Sequence, residues 1–135
     1  MRLLWIDDEI DMLRPFILAL EEKGYEVETA TNGPDGLELL ARRRFDLVLL
    51  DPPKFARSAR EVPDALRGYR DLNRLCLKLL RSGGLLMTFS CSGRVGWSEL
   101  QRAVGLAAAD AGCDAQILRH LSQARDHPVA VSYPE

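Results

Sequence analysis

A chain of 135 residues that is 47% hydrophobic and 28% charged has the make-up of one globular domain with a sizeable core. Its apolar runs fall short of the roughly 20 residues that span a bilayer, MRLLWIDDE has acids where a secretory leader is basic, and three scattered cysteines, Cys76, Cys91 and Cys113, fit neither a disulfide framework nor a zinc site. The net charge of −2 divides unevenly, with 12 acidic against 6 basic residues up to Asp51 (net −6) and 8 against 12 beyond it (net +4), which reads as a nucleic-acid face, as two segments of different history, or as plain scatter of solvated charge.

Leu3 to Ile6 is a short apolar run that ends in Asp7 and Asp8, the pattern of a buried parallel strand with carboxylates at its C-terminal end. Met12, Leu13, Phe16, Ile17 and Leu20 recur at helical spacing, with Pro15 tolerable in the first turn and Gly24 closing the segment. Val27 to Ala30 is a second strand. Asn32 caps the next helix, Pro34 suits its first turn, and Leu37, Leu40 and Ala41 form its stripe ahead of the basic run Arg42 to Arg44.

Leu47 to Leu50 is the clearest strand, ended by Asp51-Pro52-Pro53. Pro63 opens a long helix whose apolar face holds Leu66, Tyr69, Leu72, Leu75, Cys76, Leu79 and Leu80, and Gly83-Gly84 stops it. Leu85 to Phe89 is a fourth strand. Ser98 and Gln101 have capping-box spacing ahead of a helix that Gly112 ends, and Ala115–Leu121 and Val129–Tyr133 are two further strand candidates. Four strand-helix alternations predict a three-layer α/β sandwich over a single domain, residues 1–135, with the first, third and fourth strand ends on one edge. Asp7, Asp8, Asp51 and the Ser90-Cys91-Ser92 loop should meet there.

Two resemblances divide the chain. LLWIDDE, GYEVETATNGPDGLELL and FDLVLLD, residues 1–51, resemble the beginning of a bacterial response-regulator receiver domain, of flavodoxin-like fold. The resemblance implies that Asp7 and Asp8 help hold Mg2+ and that Asp51 accepts phosphate, chemistry in which clustered carboxylates bind a hard cation. DLVLLDPPKFARS, ALRGYRDLNRLCLKLLRSGGLLMTFSCSG and DHPVAVSYPE, within residues 45–135, resemble the C-terminal part of a class I S-adenosylmethionine-dependent RNA cytosine-5 methyltransferase, of Rossmann-like fold. That resemblance implies that Cys91 attacks C6 of cytosine and that Asp51 contacts the base; a thiolate adduct makes C5 nucleophilic.

Each pattern lacks something. No lysine follows Lys78 to serve as the receiver's phosphate-binding cation, and the turn Asp7-Asp8-Glu9-Ile10 has no glycine for the methyltransferase cofactor. The reading that joins the two is an engineered chimera of a receiver-like segment 1–50 and a methyltransferase-like segment 51–135, with its seam near residues 45–51 and sheet order 2-1-3-4-6-5, strand 6 antiparallel. It predicts a cytoplasmic scaffold that is not an enzyme, with Asp51 and Cys91 vestigial. No cofactor is expected, S-adenosylmethionine included, and Mg2+ at Asp7, Asp8 and Asp51 is the one candidate ligand. The molecule is expected to be a monomer with no required partner. Arg57, Arg60, Arg67, Arg70 and Arg74 read as a solvated helix face with at most weak, non-specific nucleic-acid binding. The alternatives are a Mg2+-binding phosphoacceptor and an RNA cytosine-5 methyltransferase.

Overall fold

Burial of Leu4 and Ile6 on one face and Leu3 on the other draws the first strand, β1 (Arg2–Asp7), into the middle of a sheet. This is seen in a computed structural model that describes residues 1–122. β1 pairs in parallel with β2 (Glu26–Ala30) on one side and β3 (Leu47–Asp51) on the other, and β3 pairs in parallel with β4 (Leu85–Thr88). The order β2-β1-β3-β4 is the expected one for these four strands. The fold is α/β, with helices on a parallel sheet.

Right-handed crossovers decide which face each helix covers. The step from β1 to β2 runs one way along the sheet and those from β2 to β3 and β3 to β4 run the other way. So α1 (Arg14–Glu22) lies on one face, and α2 (Gly33–Arg42) and α3 (Val62–Leu79) on the opposite one. The main core fits this assignment: Leu4, Ile6, Val48 and Leu50 from the sheet meet Leu40 of α2, Cys76 of α3 and the fully buried Phe45. α2 sits so close to β1 that a Cβ at Gly36 would run into Ile6 Cγ1 and Cδ1. Pro15, Pro34 and Pro63 each fall in the first turn of their helix, where a missing N–H costs nothing. Asn32 caps α2 through its Oδ1, which accepts from Asp35 N at 2.9 Å.

α4 (Trp97–Ala111) packs along α3, forming a second core of Ala65 and Tyr69 from α3, Leu100 and Ala103 from α4, and Ala56 and Val95 from loops. Gly112, at φ 67°, ends it as expected. The capping box expected at Ser98 and Gln101 is absent, because the helix begins two residues earlier, after Gly96, and Ser98 Oγ bonds Glu99 instead. A capping box does form upstream, between Ser58 and Glu61, around the short 3-10 turn Ala59–Glu61 that leads into α3.

Residues 115–121 are not a strand; they are exposed and irregular, and His120 stacks on Trp97 with ring centroids 3.6 Å apart. The expected fifth strand is therefore corrected, and Val129–Tyr133 lies outside the described residues. No helix among the described residues is long and apolar enough to cross a membrane.

Asp46 ties the two halves of the chain together. Its carboxylate accepts from Arg2 N at 2.7 Å and from Arg81 Nε at 2.7 Å, while its own carbonyl accepts from Leu85 N at 2.9 Å. The Arg2 amide, then Arg81, hold the Asp46 carboxyl below its ordinary range.

Candidate functional site

Parallel register brings the candidate residues to one edge. Asp7 is the direct cross-strand partner of Asp51, so both carboxylates leave the sheet on the same side, about one strand spacing (~4.8 Å) apart at the backbone. Pro52 and Pro53 then turn the chain out of the sheet, and Pro52 is buried beneath the turn. β4 ends at the same edge and delivers Ser90, Cys91 and Ser92, with Phe89 N still donating to Leu50 O at 3.0 Å. Asp7, Asp8, Asp51 and Cys91 thus converge as the topology requires. With Trp5, Met12 and Pro52 they line an open pocket of about 470 Å3.

The electrostatics of this pocket follow from its crowding. Partial burial, then repulsion from Asp7 and Asp8, pushes the Asp51 carboxyl up to about 6. The Cys91 thiol is also raised, first by desolvation and then by the negative charge of Asp51, with Lys54 opposing. Cys91 Sγ rests 3.5 Å from the Pro52 carbonyl oxygen, to which the thiol donates. Cys76, by contrast, is sealed in the main core and its thiol is pushed up to about 12 by burial, which makes it inert. Cys113 is half-buried at the end of α4.

The carboxylates share an edge without closing into a ligand set. Asp7 Oδ1 already accepts from Glu9 N at 2.8 Å, Asp8 is turned to solvent, and among the described residues no group of three His, Cys, Asp or Glu side chains is arranged to hold a metal ion. The Asp7, Asp8 and Asp51 set expected for Mg2+ is therefore not preassembled. S-adenosylmethionine fits this edge no better. The turn Asp7-Asp8-Glu9 that lines this edge is acidic and has no glycine, whereas the methyltransferase resemblance implies a glycine turn for a cofactor that itself carries a carboxylate.

Several residues of the site were not singled out by the sequence. Tyr69 is fully buried in α3, and its hydroxyl binds both serines that flank Cys91, Ser90 at 3.1 Å and Ser92 at 3.1 Å. Sequence reading placed Tyr69 in an apolar stripe; the available signal was its hydroxyl, which a buried tyrosine must satisfy. Phe55 packs tilted against Tyr69 with centroids 4.9 Å apart, and Ala56 N donates to Ser92 Oγ at 3.2 Å, so the DPPKF turn and the cysteine loop are fastened to one helix. Trp5 lines the pocket with its Nε1 buried and unpartnered.

Of the arginines considered for a nucleic-acid face, Arg67, Arg70 and Arg74 are engaged with Asp64, Asp110 and Asp71. Lys54, Arg57, Arg60 and Arg94 are exposed and form no ion pair among the described residues. A second cleft of about 410 Å3 lies at the opposite end, lined by Arg42, Arg43, Arg44, Lys78 and Arg81. It sits where α2 and α3 end, and cations there answer the helix dipoles.

No family model matches the chain. Curated relatives do match about two thirds of it. The chain is 54% identical over 92 residues to the ribosomal RNA large subunit methyltransferase I of Aeromonas salmonicida (strain A449), covering 68% of this chain and 23% of that protein. Its counterparts in Shewanella amazonensis and Citrobacter koseri are 48% and 46% identical over 93 and 94 residues, covering 69% and 70% of this chain and 24% of each relative. The chain therefore spans about a quarter of the length of the relatives it matches. Among solved structures, a CheY-like response regulator receiver domain from Methanospirillum hungatei JF-1 aligns at TM-score 0.49 and 23% identity, covering 90% of this chain and 82% of its own. These relatives overturn the expectation that the chain is not an enzyme, which rested on the gaps in both patterns: by name each is an enzyme, and the likeness to them spans most of this chain.

Proposed function

We propose that the chain forms the cytosine-engaging half of an RNA cytosine-5 methyltransferase site, joined at DLVLLD to a receiver-like half. The observation that carries this reading is the meeting of Cys91 and Asp51 at one sheet edge, with Cys91 Sγ 3.5 Å from the Pro52 carbonyl oxygen. The identity to ribosomal RNA methyltransferases over 92 residues supports it.

The chemistry assigned to these residues is nucleophilic addition. The Cys91 thiolate forms an S–C6 bond to cytosine, and the ring electrons move towards C5 and N3. Asp51, with its carboxyl up at about 6, is protonated in a minority of molecules at neutral pH and stands beside the thiol, where it donates to N3 or accepts from the exocyclic amine. Lys54, Arg57, Arg60 and Arg94, exposed in the segments that follow β3 and β4, offer phosphate contacts. S-adenosylmethionine supplies the methyl group in this class of reaction. The acidic β1 turn of this chain does not fit it, so no methyl-transfer step is assigned to these residues.

The test is covalent trapping on a fragment of large-subunit ribosomal RNA in which cytidine is replaced by 5-azacytidine, whose C6 accepts a thiolate without a methyl donor. A denaturation-resistant protein–RNA band that disappears in Cys91→Ala is expected. No band with the unmodified protein, or a band that survives Cys91→Ala, overturns the reading.

A further inference from the structure

Cys91 is exposed, while the serines on either side of it, half-buried Ser90 and buried Ser92, are turned to the interior. Both serines are fixed to one buried group. Ser90 Oγ donates to Tyr69 OH at 3.1 Å, Tyr69 OH and Ser92 Oγ lie 3.1 Å apart, and Ser92 Oγ also accepts from Ala56 N at 3.2 Å. Ser92 N donates back to Ser90 Oγ at 3.3 Å, which closes the loop on itself. Tyr69 is fully buried and Ser92 is 2% exposed, so water does not compete for the bonds that join Ser92 to Tyr69 and Ala56. The phenol is set in turn by Phe55, whose ring tilts 59° against it, and by the packing of α4 over α3. The network therefore reaches the nucleophile loop, the DPPKF turn and the long helix at once.

We propose that Tyr69 is the positioning residue of the site: its hydroxyl, bridging Ser90 and Ser92, holds the loop so that Cys91 Sγ stays against the Pro52 carbonyl and beside Asp51. This rests on the assignment of Cys91 as nucleophile under the proposed function. Tyr69 touches no reacting atom; it acts through the two serines. Releasing the loop lets the sulfur leave the influences that raise its thiol, partial desolvation first and then the charges of Asp51 and Asp8. General thiol reactivity should then rise while aligned attack on a base falls, a divergence that mere loss of stability does not produce.

The experiment is site-resolved alkylation of the unliganded chain with iodoacetamide across pH 6 to 10, on the wild type and on Tyr69→Phe, alongside the 5-azacytidine trap. In Tyr69→Phe the midpoint of Cys91 alkylation is expected to fall, with the rate near neutral pH rising about three- to tenfold, while the yield of RNA adduct drops. Cys76 reports on the fold in the same sample, because it is sealed in the core and alkylates only if the core opens. A Cys91 profile that superimposes on the wild type, with Cys76 protected, overturns the proposal. If Tyr69→Phe exposes Cys76, Ser90→Ala and Ser90→Thr decide instead: the first should reproduce the shift and the second, which keeps the hydroxyl, should restore the wild-type profile. An identical profile in Ser90→Ala and wild type overturns the proposal as well. Alkylation needs no RNA, so a wild type that forms no adduct removes the proposed function while leaving this result readable on its own.

Discussion

Asp51 is where residue-level physics is most constrained, because three carboxylates meet at the edge where the backbone turns out of the sheet. Its folded value of about 6 lies above the ordinary 3.8, so between those values the folded state holds a proton that the unfolded state has released. Stability contributed by that proton is present below about pH 4 and is lost as the pH rises through 6. Asn at this position carries no charge at any pH. Asp51→Asn should therefore match the wild type below pH 4 and exceed it by about 1–2 kcal/mol at pH 7.5, after allowance for solvent screening. Urea melts at the two pH values measure the difference, and an equal gap at both would show that repulsion is not the cause. The carboxylates were readable as a cluster from the ends of two predicted strands. What could not be read was that Asp7 spends one oxygen on the Glu9 amide, because that bond depends on the shape of the turn.

At the scale of elements, the four strands and four α-helices of the described residues were legible, because each carries both a periodic apolar pattern and a terminator of defined chemistry. Pro34 and Pro63 marked first turns, Gly112 marked an end, and Asn32 marked a cap, each for a reason internal to its own segment. The failures share a different cause. Ala115–Leu121 has the composition of a strand, but a strand needs an edge that accepts it, and this segment leans back on the start of α4 through His120 and Trp97. Tyr69 likewise looked apolar because its hydrogen-bond partners lie 21 and 23 residues away. Close packing gives a direct check of the main core. Gly36→Ala adds a methyl group against Ile6, which is only 3% exposed and has no room to yield, so a loss of about 1–3 kcal/mol in chemical denaturation is expected. A neutral outcome would mean that α2 can shift away from β1 at little cost.

For the whole molecule, the net charge changes from −6 up to Asp51 to +4 beyond it, yet the residues on either side of Asp51 build one sheet. β1 and β3 pair in register from Leu3↔Leu47 to Asp7↔Asp51, and Asp46 binds both Arg2 and Arg81, so early and late strands belong to a continuous sheet. The two outer strands differ. β2 carries Glu26 and Glu28, which pair with Arg2 and Arg43 along the rim and discourage a further strand. β4 reads Leu-Leu-Met-Thr, has no charge, and exposes 41% of Leu85. Among the described strands, self-association at high concentration is therefore expected at β4 rather than β2, and Leu85→Lys should suppress it in sedimentation velocity, whereas Val27→Lys on β2 should leave it unchanged; the reverse pattern would place the contact elsewhere. The described sheet can thus lengthen in one direction only. Since β4 runs straight into Phe89 and Ser90, any strand recruited there becomes a neighbour of the cysteine loop, and growth of the sheet and access to its only exposed described thiol share a single doorway.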